Sequence, residues 1–561
     1  MKKTITRANK VHVILTLKSK SGKSLFKKKK LLHEDFKDYD PHPDSMNAVI
    51  TWLKKDDCKI TAKGYFSLAF TASKSFVDKY FDGGKAIPVE LKEHVEKSVL
   101  SPIWKLRNAE PTPPRLDPGE LSVPSPIAEL VNADSKHREG IVGRGVHVVV
   151  VDTGFWTLNH PQFHPYYNAT LKDQVRKQID VIPLRTEWDK AEDWLSHGTA
   201  LCSTLFAVAP GIRLTMIKTA SVSSVVPATG EPIDSEGPYI VEGILKAIQL
   251  EDQADILLVC AGPNEKDVDR NGEERRIVEL ALITLINRGV VVIFPSGNYV
   301  WETEDGQRID EGVVVWPSTH PDVISVGGAS PPGIAGPANK GWFASPVASS
   351  GESVLYPPRH VPDICGLCGN LIRVAVPNGQ GGTLQVGVMK PFIAVPVQYQ
   401  STDDLMRVRD ATALPPVLAD GWTVSNGTSL AAPMVAGVVA LMLQIINDAV
   451  GSLPSTFRSS YRTLLSRSDK NKLSWNSVRA FFPGLIKKIL QKTAYDVKEG
   501  ISANLEAARQ NEDPATGVGL VDAKKACNFL SVNSILNLLR TDPTIMHPYL
   551  GSFRLPDDFF H

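Results

Sequence analysis

The chain opens on an apolar run, Val11 to Leu17 (VHVILTL), that reads as a strand. Asp44 to Lys55 has the composition of a helix. Cys58 to Thr71 alternates in the manner of a strand, and Phe76, Val77, Tyr80 and Phe81 share one face of a further helix. This β-α-β-α order suits a small two-layer α+β unit over residues 1–105. Pro111, Pro113, Pro114, Pro118, Pro124 and Pro126 then mark an extended linker over 106–125. From about Gly140 the pattern changes. VHVVVVD is a continuous apolar strand, as in the middle of a parallel sheet. IRLTMIKTA, ADILLVCAG, VVVIFPSGN and Val323 to Gly327 continue the series, with helices at Ile240 to Leu250 and Ile277 to Asn287 between them. The expected fold is α/β, a parallel sheet with helices on both faces over 126–530.

In such sheets ligands sit at the carboxyl ends of the strands. Asp152, Cys260 and Asn298 lie at or just beyond strand ends, and His197 and Ser429 open apparent helices. The stretch Ser425 to Gly437 (SNGTSLAAPMVAG) has poor helix formers before Ser429 and a nearly all-apolar helix after it. A serine there meets the free N–H groups of a helix start, but its hydroxyl is a weak nucleophile until a base takes its proton. His197, in DWLSHGTALCSTLFAV, supplies a base, and Asp152 a carboxylate to orient it. Taken singly, Asp152 reads as a turn residue, His197 as a core histidine and Ser429 as a helix cap. Together they make a charge-paired nucleophile.

Composition narrows the function little further. With 42% hydrophobic and 22% charged residues the chain is globular, and a net charge of +1 argues against general nucleic-acid binding. The basic cluster Lys27 to Lys30 reads as a solvated loop. Six cysteines over this length are not a disulfide scaffold. Cys365 and Cys368 form one C-x-x-C without a second pair, so they read as packed thiols or a redox pair and not as a zinc site. No run of about 18 apolar residues is seen, so no membrane span is expected. No cleavable leader is read at the N-terminus, and a cytoplasmic location is the expectation.

VVVVDTG with NHPQF, SHGTALCSTLFAVAP and SNGTSLAAPMVAG resemble the aspartate, histidine and serine motifs of the subtilisin-like serine peptidases. LIKKILQKTAYDV and GVGLVDAKKA resemble the end of that family's catalytic domain, and the resemblance spans Leu121 to Leu530. It implies an endopeptidase using Asp152, His197 and Ser429, with Asn298 as oxyanion donor beside the Ser429 N–H. It also implies that a protein or peptide substrate lies along Cys260, Ala261 and Gly262, with Phe294, Pro295, Ser296 and Gly297 walling the primary pocket. Asp193, four residues before His197, reads as a solvated aspartate or as one that faces the substrate. No cofactor is expected, and no metal, since no compact acidic loop is seen.

The departures are Ala200 in place of a second histidine, Cys-Ala-Gly at 260–262, Pro295, and the cysteines at 365 and 368. Cys202, one helical turn beyond His197, reads as core. The 1–105 unit resembles the family's propeptide, an intramolecular inhibitor, or is another accessory domain. As a propeptide it implies self-cleavage between about Gly84 and Ser125. Insertions are read near 371–421 and 453–482, the first as a lid beside the site, and 531–561 is a tail without a readable role. A non-catalytic binding module of the same fold and an esterase on the same triad are the rival readings.

Overall fold

The computed structural model describes residues 10–28, 31–32, 38–54, 58–100, 104–105, 127–155, 175–181, 193, 197–225, 232–237, 240–269, 272–304, 307–332, 341–377, 383–390, 393–396, 422–452, 479, 481–531 and 534. The linker 106–125, the NHPQF stretch, most of 453–482 and nearly all of the tail lie outside these residues.

The N-terminal unit is built from β1 (Lys10–Leu17), α1 (Ser45–Leu53), β2 (Lys59–Lys63), β3 (Ser67–Ser73), α2 (Lys74–Phe81) and β4 (Val95–Leu100). The sheet order is β2-β3-β1-β4, all antiparallel. The order along the chain is therefore β-α-β-β-α-β, a split βαβ arrangement, and not β-α-β-α. Two features escaped the pattern. Cys58 to Thr71 is a hairpin, turned at Gly64, whose N–H donates to the Ser67 carbonyl (2.7 Å). β4 (VEKSVL) is half polar and has no clean alternation.

The alternation of β1 explains what this sheet covers. Val13 and Leu15 pack with Leu68 and Phe70 onto Val49, Leu53, Val77 and Phe81 of the two helices. Ile14, with Ala62 and Ala69, faces the opposite way and joins the core of the larger domain. There the contact is with α4 (Ile240–Ile248), on Ile240, Val241, Ile244 and Leu245. His12 Nδ1 lies 2.7 Å from Glu242 Oε1, and Lys97 pairs with Glu273.

The large domain holds a nine-stranded sheet among the described residues. Its parallel centre comprises β6 (His147–Asp152), β7 (Val175–Asp180), β8 (Arg213–Lys218), β11 (Ile256–Val259), β12 (Val291–Pro295), β15 (Ile324–Ser330) and β16 (Ile364–Leu367). These run in the spatial order β7-β8-β6-β11-β12-β15-β16. Phe343–Ala344 and Glu499–Gly500 complete it. Val148 and Val150 point to one face, with α3 (His197–Val208), α6 (Thr428–Ser452), α7 (Phe482–Thr493) and α8 (Ala523–Phe529). Val149 and Val151 point to the other, with α4 and α5 (Glu273–Asn287). Burying each such valine contributes roughly 1.5–3 kcal/mol. The result is a three-layer α/β domain.

Small strands decorate the rim at the carboxyl ends. β9 (Ser221–Val225), just after β8, pairs with β10 (Pro232–Gly237), and β10 pairs antiparallel with β5 (Trp104–Lys105), which follows the N-terminal unit. β13 (Tyr299–Glu304) and β14 (Gln307–Gly312) form a hairpin directly after Asn298. The region read as an insertion contains the hairpin β17 (Asn370–Pro377) and β18 (Thr383–Lys390), then β19 (Ile393–Pro396) paired with β20 (Trp422–Ser425). β19 contacts α3, and β20 leads into α6, so this region touches both helices that carry candidate chemistry. Its Gly-rich 378–382 stretch lies outside the described residues.

One apolar segment bears on the expected absence of a membrane span. Thr428–Asp448, 21 residues with an 18-residue window of mean hydropathy 2.1, is long and apolar enough to cross a membrane by length and composition. Thr428, Ser429, Pro433 and Gln444 interrupt it, so a search for an unbroken apolar run passes it over. In this structure 83% of its most apolar window is buried, as the central helix of the domain.

Candidate active site

Asp152 is the last residue of β6, and the register that pairs Val151 with Val259 sets it beside Cys260, one residue past β11. Its side chain is fully buried. Oδ1 lies 2.7 Å from His197 Nδ1 and accepts the Thr153 N–H at 2.7 Å. His197 is the first residue of α3 and its side chain is 28% exposed, so the ring is open on one side. Burial works against the imidazolium, but the Asp152 carboxylate, by charge and by hydrogen bond, holds His197 above the usual imidazole value.

The contact depends on Gly198. A Cβ there would stand 2.1 Å from the Gly154 carbonyl oxygen and 3.2 Å from Asp152 Oδ1. Gly198→Ala therefore pushes the start of α3 off the Asp152 loop. A displacement on the order of 1 Å is enough to lower turnover about 100-fold. Thermal melting and labelling by a fluorophosphonate check this. A variant that labels at the wild-type rate refutes it.

Ser429 is the second residue of α6 and is partly exposed between buried neighbours. The turn before it rests on Gly427, whose φ of +115° favours glycine. Asn298 Oδ1 accepts from the Thr428 N–H (2.8 Å) and from Thr428 Oγ1 (2.9 Å). The Asn298 amide is thereby fixed, with Nδ2 next to Gly427. Thr428 Oγ1 also lies 3.0 Å from the Gly297 carbonyl oxygen. The Ser429 carbonyl would ordinarily accept from the residue four positions on, but that is Pro433, which has no N–H. The Cys260 thiol takes this place, with Sγ 3.6 Å from the Ser429 oxygen.

The structure thus gathers Asp152, His197 and Cys260 at one rim of the sheet, and joins Asn298 and Cys260 to the turn that carries Ser429. The remaining residues divide. Ala261 and Gly262 are partly exposed, and among the described residues their backbone makes no hydrogen bond. Cys260 is 6% exposed and its side chain supports the Ser429 turn. The residues expected to wall the primary pocket have buried side chains. Phe294 and Ser296 are fully buried, and the Ser296 hydroxyl donates to the Ser349 carbonyl at 2.6 Å. Pro295 is a buried strand residue, and the carbonyl of Gly297 takes the Ser349 N–H.

Asp193 is also corrected. It does not face a substrate: it is fully buried and bonded to Thr153 and Thr199. Thr153, Thr199 and Thr428, which follow Asp152 directly, lie two residues beyond His197 and precede Ser429, went unread. Their only sequence signal is that adjacency.

None of the six cysteines is in a disulfide. Cys365 and Cys368 are both buried, three residues apart along an extended segment and in separate apolar clusters, which suits packed thiols and not a redox pair. Burial pushes the Cys368 thiol up to about 11 and Cys202 and Cys260 well above the ordinary range. No group of three or more His, Cys, Asp or Glu side chains suited to a metal occurs among the described residues.

A family model described as the subtilase family, Peptidase S8, matches residues 143–507. That is well over half of the chain, and the protein belongs to the subtilase family. Subtilisin of Bacillus pumilus is 25% identical over 207 residues, covering 37% of this chain and 64% of that protein. Subtilisin J of Geobacillus stearothermophilus is 24% identical over 207 residues, covering 37% and 46%. The match therefore spans less than two thirds of these relatives. Fervidolysin from Fervidobacterium pennivorans, described as a keratinolytic enzyme related to subtilisin, aligns with a TM-score of 0.48 at 15% identity, over 94% of this chain and 62% of that one.

Proposed function

We propose that this chain is a serine endopeptidase. The observation that carries the reading is the Asp152–His197 contact at the same sheet rim as a serine-bearing helix start, with a fixed asparagine amide beside it. Because Nδ1 of His197 is engaged by Asp152, Nε2 is the nitrogen that takes the Ser429 proton as Oγ attacks a peptide carbonyl. The negative oxygen that develops is met by Asn298 Nδ2 and the Ser429 N–H, each worth about 100- to 1000-fold in rate. The acyl-enzyme forms as the proton passes to the leaving amine, and water then releases the acid.

The substrate would lie extended against the backbone of Ala261 and Gly262, which makes no hydrogen bond among the described residues. The N-terminal unit would act as an intramolecular inhibitor. In support, its trailing residues Trp104–Lys105 already sit as an added strand on β10. Residues from Gly84 to Leu100 are built into its fold, since the Ser98 hydroxyl binds the Gly84 carbonyl (2.8 Å) and β4 pairs with β1. Self-cleavage is thus expected after Lys105, within 106–125, and not from Gly84 onward.

The test is intact mass of the full chain with and without a fluorophosphonate. One adduct, mapped to Ser429, and a product lacking between about 105 and 125 N-terminal residues are expected. A chain that is neither trimmed nor labelled, even after removal of the N-terminal unit by an added protease, refutes the reading.

A further inference from the structure

We propose that Asp193 is a positioning residue for His197, clamping the strand end that carries Asp152 to the first turn of the helix that carries the imidazole; this rests on the peptidase reading above. Asp193 Oδ1 accepts from Thr153 Oγ1 (2.8 Å), and Oδ2 accepts from both the N–H and the hydroxyl of Thr199 (2.8 and 2.6 Å). Thr153 Oγ1 in turn accepts the Gly198 N–H at 2.8 Å. The Thr153 N–H donates to Asp152 Oδ1, the oxygen that meets His197. The bonds run Asp152, Thr153, Asp193, Thr199, and return to His197 through the chain.

The N–H groups of residues 198 and 199 belong to a first helical turn and have no acceptor within the helix. Thr153 and Asp193 supply those acceptors, which fixes where α3 begins and hence where its first side chain stands. Asp193 is fully buried. Burial pushes it up to about 6, against the pull of its bonds from Thr199 and Thr153. A carboxylate kept at such a cost has a use, since a buried charge is tolerated only where hydrogen bonds compensate it.

Asp193 also contributes electrostatically. The charged groups that act on His197 are Asp152 on β6 and Asp193 ahead of α3. The two carboxylates together hold the imidazole above its usual value. Removing the Asp193 charge weakens the imidazolium, so the acidic limb of the pH–rate profile moves to lower pH even as turnover falls. Loss of folded protein alone lowers the rate without moving that limb.

The experiment uses the full chain as wild type, Asp193→Asn, Thr153→Val and Thr153→Ser. It measures kcat, KM, the pH profile of peptide hydrolysis, and thermal melting. Asp193→Asn is expected to lower kcat roughly 10- to 100-fold, with KM little changed and the acidic limb shifted down. Thr153→Val should lose part of the rate, and Thr153→Ser, which keeps the hydroxyl, should recover it. If Asp193→Asn does not fold, the Thr153 pair carries the test. An Asp193→Asn rate within twofold of wild type with an unmoved limb overturns the proposal, as does Thr153→Ser being as impaired as Thr153→Val. A wild-type chain without hydrolysis or labelling defeats the peptidase reading itself and takes this proposal with it, a result distinct from an active wild type with an unaffected variant.

Discussion

Ser429→Ala is expected to lower kcat/KM by on the order of 10⁴- to 10⁶-fold and to abolish both fluorophosphonate labelling and self-trimming. The oxygen removed is the one protein atom that bonds to substrate carbon in this mechanism. The fold should survive. Thr428, not Ser429, makes the bonds to Asn298 and Gly297. Alanine is also the better helix former at this second position of α6. A melting temperature close to wild type alongside lost turnover would separate chemistry from folding. Persistent hydrolysis by purified mutant protein would remove Ser429 from the mechanism.

Asp152→Asn should cost about 10⁴-fold in kcat while leaving the shape of the site almost unchanged. The amide fits the same space, and the Thr153 N–H still has Oδ1 to bond. What disappears is the charge that holds His197 above its usual value and stabilises the imidazolium as the serine proton arrives. The acidic limb of the remaining activity should therefore move to lower pH. Because the two residues act as a unit, the double variant Asp152→Asn/Ser429→Ala should be no slower than Ser429→Ala alone. A double variant slower by the product of the two single losses would show that they act independently.

The parallel sheet was legible because buried strands such as the one holding Val148 to Val151 are short, β-branched and apolar on both faces, with turn residues close behind them. The places of Asp152, His197 and Ser429 were legible for a related reason: each lies where an apolar run meets a Gly- or Thr-containing turn. The sequence could not show which way a side chain turns once buried. Asp193 looks like a solvated acid, and only the approach of Thr153, 40 residues away, makes it an internal one. Asn298 and Thr428 are 130 residues apart, so nothing local announces that one orients the other. Pro433 leaves an orphaned carbonyl at Ser429, and that Cys260 lies beneath it becomes visible only in the fold. The β4 strand was missed because its pairing with β1 overrides a half-polar sequence.

The pairing of Trp104–Lys105 with β10 has a practical side. A strand that accepts a neighbour so readily is a template for any extended chain, including partly unfolded copies of this one. Once the covering residues depart, β10 becomes a naked border. Preparations of the shortened protein should then be more prone to clump at high concentration than the intact chain, and a short blocking peptide added during storage should keep them clear.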